Sequence, residues 1–226
     1  TAQQEITLDN HALLPGLINA HGHSPMALFR GFADDMALQP WLEEKIWPAE
    51  SQWVSEEFVR DGAALAIAEM LRGGTTAFTD MYFFPEEIAK VALAANIRTM
   101  QAAPVLDFPT VYAQDADEYI RKATELNDRY KNNNMVLVAF GPHAPYTVSD
   151  SPLKHISTLA NELEIPIHMH VHENVQEVAD AISLDGNRPL ERLNELGLLS
   201  HLLQCVHATQ LEDFEIEIMA NAGVTV

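Results

Sequence analysis

The chain has 226 residues, 47% of them hydrophobic, enough for one sizeable domain with its own core. Thirteen basic against 33 acidic side chains give a formal charge of −20, which disfavours nucleic acid or an anionic membrane surface as partner. Cys205 is the single cysteine, so no disulfide forms within the chain and a reducing, cytoplasmic setting is the default. No apolar run approaches the roughly 20 residues of a membrane span. The start, Thr1-Ala2-Gln3-Gln4-Glu5, is polar and lacks both a basic leader and an initiating Met. The expectation is therefore a chain that begins partway into a longer protein.

Short apolar runs alternate with amphipathic segments. Residues 1–11 read as the tail of a small β element. The run Leu14 to Ala20 reads as the first strand of the main domain, buried on both faces. Gly31 to Trp53 is poorly periodic and rich in Trp, Pro and acids, and reads as a long loop with short helical pieces. Ser55 reads as the cap of a helix with Glu56 and Glu57 in its first turn, ending at Gly73-Gly74. Strands follow at Thr75 to Asp80, Arg98 to Pro104, Val136 to Phe140, Pro166 to Val171 and Leu202 to Val206. Helices are read between them: Glu86 to Ala95 after Pro85, Asp117 to Tyr130, one carrying Leu153, Ile156, Ala160 and Leu163 behind a Ser151 or Asp150 cap, and Leu190 to Leu196. Ala222 to Val226 looks like the opening of a seventh strand. Strands alternating with helices imply an α/β fold with a parallel sheet. An eight-stranded (β/α)8 TIM-type barrel takes about 250 residues. Over residues 12–226 we therefore expect such a barrel, truncated after six to seven strands.

Histidines gather where these strands end. His21 and His23 close the first apolar run one glycine apart. A strand's period of two points both rings to one side, and two neutral imidazoles aimed at one point are half of a divalent metal site. The alternative is a pair of ordinary loop histidines. The cluster His168-Met169-His170-Val171-His172-Glu173 ends the fifth strand. Period two places its three histidines on one side, with one or two of them within reach of a metal. Glu173 has the profile of a proton shuttle beside a metal-activated water, or else of a glutamate at a helix start. His207 reads as a ligand or as a stabiliser of charge in the transition state, and His143, between two stiffening prolines, as a preorganised substrate contact. Each can equally be a structural histidine. Asp80 is read as a carboxylate supporting the site or as a cap. His11, His155 and His201 are read as surface residues, and Cys205 as a small core residue.

Taken together these segments resemble the amidohydrolase superfamily. The carriers are Pro15-Gly16-Leu17-Ile18-Asn19-Ala20-His21-Gly22-His23, then Gly141-Pro142-His143-Ala144-Pro145-Tyr146, then His168 to Glu173, then His207. Within the superfamily, His23 to Asp35 and Trp41 to Glu50 look like the 5'-methylthioadenosine/S-adenosylhomocysteine deaminases. Guanine deaminases and triazine chlorohydrolases share most of the same pattern. The resemblance implies one divalent metal, usually zinc, held by His21, His23 and His170 with an aspartate after the eighth strand. It implies Glu173 as the proton shuttle, also touching substrate, and His207 beside the attacking water. It also implies His143 against the purine or sugar, and Glu50 on the ribose hydroxyls. Three nitrogens and an oxygen suit zinc, iron or manganese.

The implied activity is hydrolytic deamination of a small-molecule nucleoside bearing a 5' thioether, with release of ammonia. The chain carries no counterpart of the last-strand aspartate. The expectation is thus that the natural polypeptide continues and that this stretch alone is inactive. The alternative from another class is a non-catalytic, metal-binding fragment. Incomplete barrels expose apolar strand edges, which favours a homo-oligomer.

Overall fold

The computed structural model describes residues 4–226. Residues 1–3 of the expected N-terminal β element lie outside that range; residues 4–16 carry no strand or helix, with a turn at Asp9-Asn10.

Six strands follow in chain order: β1 (Leu17–Asn19), β2 (Thr75–Asp80), β3 (Arg98–Val105), β4 (Val136–Pro142), β5 (Ile167–Val171) and β6 (Leu203–His207). Each pairs in parallel with the next, so the sheet order is β1-β2-β3-β4-β5-β6. Singly wound order with helical crossovers is how a (β/α)8 barrel grows, and the chain forms a curled part of one. Thr225 pairs in parallel with Gln204, which is the start of the expected seventh strand.

The helices are α1 (Leu38–Trp41), α2 (Trp47–Trp53), α3 (Glu56–Arg72), α4 (Pro85–Ala94), α5 (Ala116–Tyr130), α6 (Asp150–Leu163), α7 (Val175–Asp185), α8 (Pro189–Glu195) and α9 (Asp213–Ala222). Ser55 caps α3 as expected, its hydroxyl accepting from the Phe58 amide. The cap residue of α6 is Ser149, one position before the expected pair, because Asp150 already has helical geometry. The stretch expected to be mostly loop is more regular than its composition suggests. A 3-10 segment (Ser24–Phe29) precedes α1, and a π turn (Leu42–Ile46) joins α1 to α2. Pro48 has no N–H to give the preceding turn, and the wider π turn absorbs that loss.

Two apolar layers hold the sheet. One lies between β3–β6 and α5, α6 and α8, around Tyr119, Phe140, Leu153, Ile156, Met169 and Leu193. The other packs Val59, Ala63 and Ile67 of α3 against Phe78, Ile88 and Ile97. Gly62 lets α3 touch the chain just after His23: a Cβ there would sit 2.4 Å from the Pro25 carbonyl oxygen.

One expectation fails. The first apolar run is not buried: Leu17 is 60% and Ile18 72% exposed, and Leu13 and Leu14 are exposed too. The strand is three residues long and pairs only with β2 among the described residues, so one edge and its outward side chains meet solvent. An apolar run reports what a segment can bury, not whether a neighbour is there to bury it.

Candidate metal centre

The strands deliver their histidines to one end of the sheet. His21 and His23 follow β1, His143 follows β4, His168 and His170 lie on β5, and His207 ends β6. A ring nitrogen from each of His21, His23 and His170 falls within 4.8 Å of the other two. Nε2 of His21 stands 3.1 Å from Nε2 of His170. Two nitrogens on one tetrahedral zinc stand about 3.3 Å apart at bond lengths of about 2.05 Å, so this spacing fits a shared cation.

The tautomers fit as well. His23 donates its Nδ1 proton to the Met81 carbonyl (2.6 Å), and His170 donates its own to the His143 carbonyl (2.7 Å). A carbonyl only accepts, so both rings keep the Nε2 lone pair free for a metal, and each ring is locked in orientation by backbone. Burial, with repulsion between neighbouring imidazoles, drives His21 down to about 3 and holds His170 well below the ordinary range. Burial also lowers His23, the Met81 carbonyl opposing it. Neutral imidazoles are the form a metal needs.

His168 joins the cluster. Its Nε2 lies 2.9 Å from Nδ1 of His21, and its Nδ1 lies 3.1 Å from Oε1 of Gln204. It therefore braces the far nitrogen of His21. Burial pushes His168, and likewise His143, down to about 4. His143 is held by Thr147, whose hydroxyl is 3.0 Å from its Nδ1.

His172 departs from the period-two expectation. Its backbone is left-handed (φ 54°), which turns the ring out of the histidine cluster. The ring is fully buried, accepts from the Leu190 amide (3.3 Å) and lies 3.6 Å from Glu215, which is paired with Arg188. Glu173 comes next, with a carboxylate oxygen 3.5 Å from His207 Nε2. Burial raises the Glu173 carboxyl, and the His207 ring partly offsets this. Glu173 lies directly before Asn174, the cap residue of α7, so it stands at the start of that helix as well as beside His207.

Acids line the β2 side. Asp80 is fully buried and accepts from the Ser24 amide (2.8 Å), which fixes the turn directly after His23. Burial pushes its carboxyl up to about 7. Glu50, on α2, is buried and also pushed up to about 7 by burial. The Tyr82 hydroxyl offsets part of that push, although its geometry falls short of a well-formed hydrogen bond. Tyr82 links Glu50 to the cluster: its ring centre is 6.5 Å from that of His23. Tyr82 and His168's bracing role escaped the sequence reading. Tyr82 stands only two residues after Asp80, and a strand-end position was the signal available for it. Cys205 is a core residue as expected, its thiol pushed up to about 12 by burial.

The model of the amidohydrolase family matches residues 12–226. Over 226 residues the chain is 50% identical to a 5-methylthioadenosine/S-adenosylhomocysteine deaminase of Teredinibacter turnerae, covering all of this chain and 51% of that protein. It is 41% identical to a 5'-deoxyadenosine deaminase of Methanococcus maripaludis, over 95% of this chain and 51% of the relative. A crystal structure of an adenosine deaminase from Xanthomonas campestris with bound zinc superposes with a TM-score of 0.91 at 48% identity. It covers 93% of this chain and 48% of that one. The chain thus spans about half the length of the relatives it matches.

Proposed function

The chain belongs to the amidohydrolase family, and from that premise we propose that the full polypeptide is a zinc-dependent hydrolytic deaminase of adenosine-type nucleosides carrying a 5' thioether. The observation that carries this reading is the convergence of His21, His23 and His170 with Glu173 and His207 alongside. A relative named as a 5-methylthioadenosine/S-adenosylhomocysteine deaminase supports the thioether, and one named as a 5'-deoxyadenosine deaminase supports only the adenosine-type nucleoside.

His21, His23 and His170 would hold the metal through neutral ring nitrogens. When bound, zinc acidifies a water molecule and offsets charge that builds as the water attacks the purine. Glu173 would accept a proton from the attacking water and pass it to the departing amino group. A carboxyl raised by burial suits this, because it holds a proton long enough to pass it on. His207, within 3.5 Å of Glu173, shares the developing charge. His143, steadied by Thr147, touches the base or sugar. Glu50 accepts the ribose hydroxyls from α2. Water adds at C6 of the adenine and ammonia leaves, giving an inosine-type product. Residues 12–226 would form part of the barrel. The proposed setting is cytoplasmic; no helix among the described residues is long and apolar enough to cross a membrane.

The test is a substrate panel offered to the zinc-loaded full polypeptide, read by ammonia release for the nucleosides and guanine and by chloride release for a chlorotriazine. Turnover of methylthioadenosine or S-adenosylhomocysteine is expected. Turnover confined to guanine or a triazine would assign the protein to a neighbouring activity of the same family. No turnover at all, with zinc bound, would contradict a catalytic role.

A further inference from the structure

The loop after β5 is held more firmly than helix capping requires. Asn174 caps α7 by accepting from the Glu177 amide (2.9 Å). In an ordinary capping box the residue at Glu177's position would return a bond to the amide of the cap residue itself. Glu177 reaches further back. Its two carboxylate oxygens accept from the amides of His172 (3.0 Å) and Glu173 (2.7 Å). The carboxylate is buried, so it forms these bonds where water competes little.

A second hold comes from the segment directly after β6. Thr209 Oγ1 lies 2.8 Å from the Glu173 carbonyl and 3.0 Å from the His172 carbonyl, and its amide donates to the His172 carbonyl (3.0 Å). Thr209 Oγ1 also accepts from the Gln210 side chain (3.0 Å). The Ala208 amide donates to the Val171 carbonyl (3.0 Å). Three residues here, His172, His207 and Ala208, have left-handed φ of 54°, 75° and 48°. Non-glycine residues hold that conformation at a cost only where surrounding bonds over-determine it.

We infer that Glu177 and Thr209 are positioning residues that clamp the Glu173 peptide from both sides and so fix its carboxylate against His207. The inference rests on the reading of Glu173 as the proton carrier. Glu177 holds the amide, Thr209 holds the carbonyl, and the backbone link from Thr209 ties that peptide to the strand end that carries His207. Both act by keeping the reacting carboxylate in place, where misplacement by about 1 Å costs about 100-fold in rate.

Three variants of the zinc-loaded full polypeptide test this: Thr209→Val, which keeps shape and removes the hydroxyl; Thr209→Ser, which keeps the hydroxyl; and Glu177→Gln, which leaves one carbonyl oxygen where two stood. Two readouts apply: the kcat and KM split, and hydrogen–deuterium exchange at the Glu173 amide. Thr209→Val and Glu177→Gln are expected to lower kcat by about 10- to 100-fold with KM and zinc content unchanged. Exchange at Glu173 should quicken in both, and Thr209→Ser should recover most of the lost turnover. Should Glu177→Gln fail to fold, the solvent-facing Thr209 pair decides alone. Unchanged exchange, unchanged kcat, or a fall matched by zinc loss would overturn the clamp. Absence of nucleoside deamination by the unsubstituted protein would instead overturn the proposed function, since the exchange readout does not depend on turnover.

Discussion

The two strands that carry the candidate ligands could hardly differ more. All five residues of β5 are buried, and it pairs on both sides, with β4 and β6. In contrast, β1 has three residues, pairs with β2, and leaves Leu17 and Ile18 largely in solvent. Both nevertheless present histidines to the same point. On β5 the rings sit in buried backbone paired on both sides, and bonds to the His143 carbonyl and to Gln204 then set their orientation. On the β1 side they are placed by specific bonds: His23 to the Met81 carbonyl, His21 between His168 and His170, and Ser24 to Asp80. A site can be preorganised by core burial or by a hydrogen-bonded scaffold, and here the two meet at one cluster.

Chemistry should depend most on the β5 end. Glu173→Gln should cut kcat by about 10²- to 10⁴-fold while zinc content, read by elemental analysis, stays constant. Loss of zinc along with activity would make Glu173 a ligand rather than a carrier of protons. Stability should divide along the same line. Met169 is fully buried, and Met169→Ala should cost about 2–5 kcal/mol in chemical denaturation of the 226-residue chain. Ile18→Ala, on the open edge, should cost no more than about 0.5 kcal/mol. Equal costs would erase the contrast between the strands.

Proton binding should sharpen it further. Burial holds His168 and His143 near 4 and His21 near 3, against 6.5 when exposed. Between those values the unfolded chain binds more protons than the folded one. Stability of the metal-free chain is therefore retained above pH 6.5 and falls as pH drops toward 4. His168→Gln should flatten that slope in denaturant titrations at stepped pH, and an unchanged slope would mean this ring titrates normally. The buried acids act in the opposite sense. Glu50 rises from 4.5 to about 7, so the unfolded chain loses its proton first and stability falls as pH climbs through that window. Glu50→Gln should remove this smaller decline.

Much of the architecture was legible because local chemistry and tertiary context agree. The strand expected at Thr75 to Asp80 forms with those limits, Ser55 and Pro85 open helices as their side chains demand, and Gly74 takes the left-handed turn (φ 86°) after α3. The β1 run misled because its composition suits a core that the described residues do not supply. His172 misled because alternation holds only while the backbone stays extended, and its φ of 54° ends that just past the strand. Helices α7 and α9 were not read as elements, although α8, which was, is shorter; the spacing of Asn174 and Glu177 was a local cap signal, and only the alternative reading of Glu173 touched it. The roles of Glu177 and Thr209 were beyond sequence reasoning, since both depend on how two strand ends meet in space.

The most direct test is anomalous diffraction at the zinc edge from crystals of the zinc-loaded protein. The account predicts one strong peak within about 2.1 Å of Nε2 of His23 and His170 and of a ring nitrogen of His21. No peak there, or zinc bound elsewhere with these rings still bonded to one another, would contradict it.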